Sequence, residues 1–109
     1  MTVEALANAL ELSALVVAEP EREIDGVYIG DLLSWVMGRA KSDNVWITIM
    51  SNINVIAVAT LADVSCVILA EGVSLDEETL AVARAKGVNL YTSPKTAYQL
   101  AAAIAALPV

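Results

Sequence analysis

The chain has 109 residues, six basic against thirteen acidic, with a formal charge of −7 and an apolar share of 58%. That length suits one domain, spanning 1–109, whose core needs no disulfide or metal staple, and the acidity counts against nucleic-acid binding because no basic stripe offsets it. The longest apolar runs, such as Val64–Ala70, stop well short of the roughly 20 residues that cross a bilayer, and a start carrying Glu4 and Glu11 is not expected to be a signal peptide.

An apolar share this high implies either a very complete core or apolar surface covered by another subunit. The single cysteine, Cys66, sits inside an apolar run, so no disulfide forms within the chain; this suits a reducing cytoplasm, the expected location. Histidine is absent, which removes the commonest general base and the commonest metal ligand together. No metal, cofactor or catalytic residue is expected.

In chain order, Thr2 is a suitable N-cap for a helix over Val3–Leu10, where Val3, Leu6, Ala7 and Leu10 share one face. Leu15–Ala18 reads as a short strand, ended by the charged, proline-containing stretch Glu19–Glu23. Ile24–Ile29 is rich in β-branched and aromatic residues and predicts a second strand, closed by Gly30-Asp31. Asp31 is placed to cap a helix over Leu32–Ala40.

Val45–Gly72 is the most hydrophobic stretch, and the core is expected to form around it. Val45–Met50 predicts a strand apolar on both faces, as in a sheet covered on both sides. Ser51 or Asn52 is expected to cap a helix running to about Asp63. That helix is apolar nearly all round, which predicts burial in the core or in an interface. Cys66–Ala70 is the next strand, stopped by Glu71-Gly72. Asp76 caps a further helix with Glu77 and Glu78 first and Arg84 and Lys86 last, an order that suits the helix dipole, and Gly87 ends it. Val88–Tyr91 is a short strand. A final alanine-rich helix begins near Thr92-Ser93-Pro94, with proline at its first position. Strand and helix thus alternate from Val45 onward, which predicts a three-layer α/β/α fold with a mostly parallel sheet of about five strands. The direction of the first strand is left open.

Recognisable catalytic constellations are missing. Asp31, Asp43, Asp63 and Glu71 are dispersed, and Gly26-Val27-Tyr28-Ile29-Gly30-Asp31 lacks both the GxGxxG spacing and a following Lys-Ser/Thr, so it is no phosphate loop. The remaining signal lies at the strand ends. In an open α/β sheet, ligands bind outside the carboxyl ends of the strands, where helix N-termini supply positive potential. Those positions hold Gly30 and Asp31, then Ser51, Asn52 and Asn54, then Glu71 and Gly72, and last Thr92, Ser93, Lys95 and Thr96. Hydroxyls, amides and free N–H groups would converge there, and Lys95 could meet an anion. Ordinary capping explains each residue singly.

Ile24–Ala59, followed by VILAEGVSLDEETLAVARAKGVNLYTSPKTAYQLA, resembles the DRTGG-domain family over nearly the whole chain. The points of similarity are Gly26 before a strand, Asp31-Leu32-Leu33 at a helix start, Trp46-Ile47-Thr48 in the next strand, Asn54, then Ala70-Glu71-Gly72, Gly87-Val88 and Thr92. The eponymous Asp-Arg-Thr-Gly-Gly string itself is absent. The resemblance implies a fold similar to the N-terminal domain of HPr kinase/phosphorylase. It implies an accessory module of the kind found in regulated pyrophosphatases and phosphate acetyltransferases, one that senses ligands or mediates subunit contact. The expectation is a non-catalytic regulatory module that forms a homodimer and binds a small anionic or nucleotide-like ligand. The alternative is an assembly subunit without a ligand, using the alanine-rich helix or Trp35 as its contact.

Overall fold

A five-stranded sheet, with strands in the spatial order Ser13–Val16, Leu90–Thr92, Cys66–Leu69, Val45–Thr48 and Val27–Ile29, forms the middle layer of the molecule. The computed structural model describes residues 1–109. The strands are β1 (Ser13–Val16), β2 (Val27–Ile29), β3 (Val45–Thr48), β4 (Cys66–Leu69) and β5 (Leu90–Thr92). The helices are α1 (Val3–Ala9), α2 (Leu33–Arg39), α3 (Asn54–Ala62), α4 (Glu77–Lys86) and α5 (Ala97–Ala105). β2 to β5 run parallel, and β1 joins β5 antiparallel with an irregularity between Ala14 and Val16. The expected three-layer α/β/α architecture is the one observed, and the direction left open is now settled: the first strand is the antiparallel one.

The two apolar faces of the central strands explain the layering. In β3 and β4 every residue is buried. Trp46, Val67, Leu69 and Leu90 pack with α2, α3 and α4 on one side, while Val45, Ile47, Cys66, Ile68 and Tyr91 pack with α1 and α5 on the other. Fully burying an aliphatic side chain contributes about 1.5–3 kcal/mol, so these central strands are the main source of stability. Trp46 is wholly buried, and its indole N–H donates to Gly30 O at 2.9 Å, which satisfies the one polar atom that burial would otherwise penalise.

Element ends differ from expectation in five places. The first strand lies two residues earlier, at Ser13–Val16, because Ala18 and Glu19 turn away to donate their N–H groups to Asn89 Oδ1 at 3.0 and 2.8 Å. The second strand is shorter, starting at Val27, because Ile24 donates its N–H to Met1 O and Asp25 to Asp43 O. Asp31 does not cap α2; Leu32 holds the N-cap position without a side-chain bond. Neither Ser51 nor Asn52 is the cap of α3, which begins later, at Asn54, after Ile53. Pro94 is not the first residue of α5. Thr96 caps that helix in a reciprocal box with Gln99, with Gln99 N–H to Thr96 Oγ1 at 3.2 Å and Thr96 N–H to Gln99 Oε1 at 3.0 Å.

The other ends follow the reading. Thr2 caps α1 and Asp76 caps α4 through Thr79 N–H at 2.8 Å. Gly87 follows α4 in the left-handed region at φ 71°. Of the two coverings expected for α3, its own core supplies one side only. Val55, Ile56, Val58 and Ala59 are buried, but Ile53, Ala57 and Leu61 face outward, with Leu61 70% exposed. No helix is long and apolar enough to cross a membrane.

Candidate functional site

Four parallel strands place their carboxyl ends along one edge, in the order β2, β3, β4, β5. With neighbouring strands about 4.8 Å apart, the row from Gly30 to Lys95 covers roughly 14 Å. The candidate residues therefore do share one rim of the molecule, but they line it in sequence.

At the end of β2, Asp31 is exposed and accepts from Thr48 Oγ1 at 2.8 Å and from the Ile49 N–H at 2.9 Å. Thr48 is itself buried, and its hydroxyl oxygen accepts from Met50 N–H at 3.2 Å. Asp31 thus locks β2 to the exit of β3. Asn52 Oδ1 accepts from Asn54 N–H at 2.9 Å and shapes the turn into α3. The edge is apolar as well as polar here, because Leu32, Ile49 and Ile53 are 59%, 44% and 45% exposed.

At the end of β4, Glu71 and Gly72 are both left-handed, at φ 58° and 72°, in a tight turn closed by Val73 N–H to Ala70 O at 3.2 Å. Gly72 takes this conformation freely, whereas Glu71 pays a strain of about 1–2 kcal/mol. The two following connections leave on opposite sides of the sheet, to α4 and to α5. That divergence is where an open α/β sheet ordinarily leaves a crevice for ligand. In this chain the crevice is stitched shut. Glu71 N–H donates to Lys95 O and Gly72 N–H to Ser93 O, both at 2.8 Å. Thr92 Oγ1 donates to Val73 O at 2.6 Å, and buried Ser93 accepts from Lys95 N–H at 3.2 Å.

The expected residues therefore divide in two. Asp31, Asn52, Thr92, Ser93 and Thr96 have side chains engaged within the chain, and Gly30 and Glu71-Gly72 are engaged through their backbone. Ser51, Asn54, Glu71 and Lys95 are exposed, and their side chains enter no hydrogen bond or ion pair within the chain. The three concavities of the molecule all lie elsewhere, so the rim is a surface and not a pocket. No group of three His, Cys, Asp or Glu side chains is gathered to hold a metal.

Three features escaped the sequence reading. Tyr98, in the first turn of α5, is 80% exposed and lies inside the Thr96–Gln99 capping turn that follows Lys95; an isolated tyrosine in an alanine-rich helix carries no signal of this. Asn89 is buried and accepts from Ala18 and Glu19 N–H while donating to Glu19 O and Ser65 O at 2.9 and 3.0 Å. At the opposite edge Arg22 reaches Asp43 at 3.0 Å and Asp63 at 2.9 Å, and Ser42 Oγ donates to Asp63 at 2.6 Å. The Ser42 and Arg22 hydrogen bonds hold the Asp63 carboxyl below its ordinary range. These residues lie 21 to 71 positions apart in the chain, too far for any spacing pattern to join them.

No family model matches the chain, and no curated protein does. Among solved structures it is similar to the CBS and DRTGG domains of the regulatory region of Clostridium perfringens pyrophosphatase, complexed with the activator diadenosine tetraphosphate. The superposition has a TM-score of 0.74 at 15% sequence identity over 94% of this chain. The chain spans less than half of that regulatory region, 45% of its length. At that identity the likeness is one of fold: the chain has a DRTGG-like α/β fold, in agreement with the resemblance carried by its sequence.

Proposed function

We propose that this chain is a non-catalytic regulatory module that senses a small nucleotide-like anion on the carboxyl rim of its sheet. The observation that carries this reading is the fold shared with a regulatory region complexed with diadenosine tetraphosphate. The resemblance to the N-terminal domain of HPr kinase/phosphorylase extends it without adding an activity. Chemistry on the rim supports the same reading. Lys95 offers an unpaired ammonium to phosphate, Ser51, Asn52 and Asn54 offer hydroxyl and amide groups, and Leu32, Ile49, Ile53 and Tyr98 offer apolar and aromatic surface to a base. Gly30, Asp31, Glu71, Gly72, Thr92, Ser93 and Thr96 shape that rim through their internal bonds. A ligand wedged between the Glu71-Gly72 turn and the Ser93–Lys95 segment would have to exchange their backbone bonds for its own, which couples binding to movement of α4 against α5.

Calorimetric titration with diadenosine tetraphosphate, ATP and AMP is the direct test. Binding is expected to weaken about tenfold in Lys95→Ala, the loss of one charge-assisted contact. No heat with any of the three nucleotides would remove the ligand from the proposal.

The module is further proposed to pair with a second copy through α2 and α3, which leave Trp35, Met37 and Leu61 exposed on neighbouring helices. Sedimentation at micromolar concentration is expected to show a dimer that Leu61→Glu converts to monomer; a monomeric parent protein would exclude it.

A further inference from the structure

β2 is an edge strand, and its outer side has no partner. Val45 N–H donates to Gly26 O at 2.9 Å and Gly30 N–H to Ile47 O at 3.2 Å, so Gly26, Tyr28 and Gly30 turn their backbone groups inward to β3. In a parallel ladder the alternate residues then point theirs outward. The free N–H and C=O groups are those of Val27 and Ile29. Proteins commonly protect such an edge with lysine, proline or a bulge, and β2 has none of these.

The edge adjoins an apolar groove of about 430 Å³, formed by Val27 and Ile29 against Ala101, Ile104, Ala105 and Leu107 of α5 and its exit. Eight of its nine lining residues are hydrophobic, and no charged side chain lines it. Free backbone groups on one side and an apolar trough on the other are the two elements of strand addition. The main chain of an incoming segment supplies the hydrogen bonds, and every second side chain enters the trough.

Charge selects the occupant. Exposed Asp25 and Asp31 bracket β2. If a second copy paired antiparallel through its own β2, centred on Tyr28, Asp25 of each copy would stand opposite Asp31 of the other. Two like-charge pairs would be set in register between molecules that each carry −7. A segment with basic residues at both ends has the opposite sign at the same positions. We infer that β2 and the β2–α5 groove bind an extended segment of a partner protein, with apolar side chains at alternate positions and lysine or arginine at both ends. This docking surface lies on the α5 face of the sheet. It is independent of the ligand and of the α2–α3 contact proposed above.

Selection of a random dodecapeptide phage library against the intact protein tests it. The expected consensus is apolar at alternate positions and basic at both ends. Two variants report on the mode. Ile29→Pro removes an outward N–H that the β2–β3 pairing does not use, and Ala105→Glu places a carboxylate in the groove on a helix that tolerates it. A synthetic consensus peptide is expected to bind each variant at least tenfold more weakly than the parent. It is also expected to slow amide exchange at Val27 and Ile29 in the parent protein, while both variants keep the parental circular dichroism. A consensus with helical spacing or acidic ends, binding unchanged in both variants, or the absence of any consensus would overturn the inference. So would a dimer that Ile29→Pro dissociates and Leu61→Glu does not, because a second copy would then occupy the edge.

Discussion

Single residues account for most of the joints between elements. Asn89 joins β5 to the 18–19 turn and to Ser65 with all four of its polar capacities used. Asn89→Ala would orphan those partners beneath the surface, at about 1–3 kcal/mol for an unsatisfied buried group, and denaturant unfolding is expected to show a loss of at least 2 kcal/mol. Glu71 is the opposite case. Its left-handed backbone is strained, so Glu71→Gly is expected to leave stability unchanged or raise it by up to about 1 kcal/mol, read from the same unfolding curves. Cys66 is fully buried, and burial pushes its thiol up to about 12. Iodoacetamide at pH 8 should therefore leave the native protein unlabelled and modify it only after unfolding.

Asp63 carries a dependence on pH. Its native carboxyl titrates below its unfolded value of about 3.9, so the stability it supplies is complete above that value and is lost as pH falls through the lower native one. The group is 62% exposed, and solvent screening keeps the contribution to a fraction of a kcal/mol. A shallow loss of melting temperature below about pH 4 is expected, and it should flatten in Asp63→Asn, whose side chain also accepts a left-handed backbone.

At the scale of elements, α2 and α3 show how far local pattern reaches. Apolar residues all round α3 pointed correctly to a helix covering a sheet. They could not say which side faces the sheet, because Ile53 and Leu61 are as hydrophobic as the buried Val55, Ile56 and Val58. Trp35 and Trp46 make a similar contrast. Trp46 is wholly buried beneath α2 and α3, whereas Trp35 is 53% exposed with the Arg39 guanidinium 3.7 Å from its ring centroid. Iodide should quench only the Trp35 part of the fluorescence, and the remainder, from Trp46, should emit to the blue.

Across the whole molecule the three-layer plan was legible because it follows from composition along the chain. Strands apolar on both faces must be covered twice, and parallel neighbours need helical crossovers. The rim was legible for the same reason: parallel strands bring the residues that follow them to one edge. Whether that rim is a crevice was not legible. The answer lay in backbone bonds between Glu71-Gly72 and Ser93–Lys95, and every residue carries the same donor and acceptor.

By itself the sequence determined the layer architecture, the Thr2, Asp76 and Gly87 helix ends, and which residues stand at the carboxyl edge, since all of these depend on local chemistry and on the period of the chain. Tertiary structure alone decided that Asp31 ties two strands together and caps no helix, that the first strand runs antiparallel, that one face of α3 stays open, and that β2 offers a bare edge beside an apolar groove. Each of these depends on which neighbour completes a residue's hydrogen bonds or covers its apolar surface. In this fold the neighbour comes from a distant part of the chain.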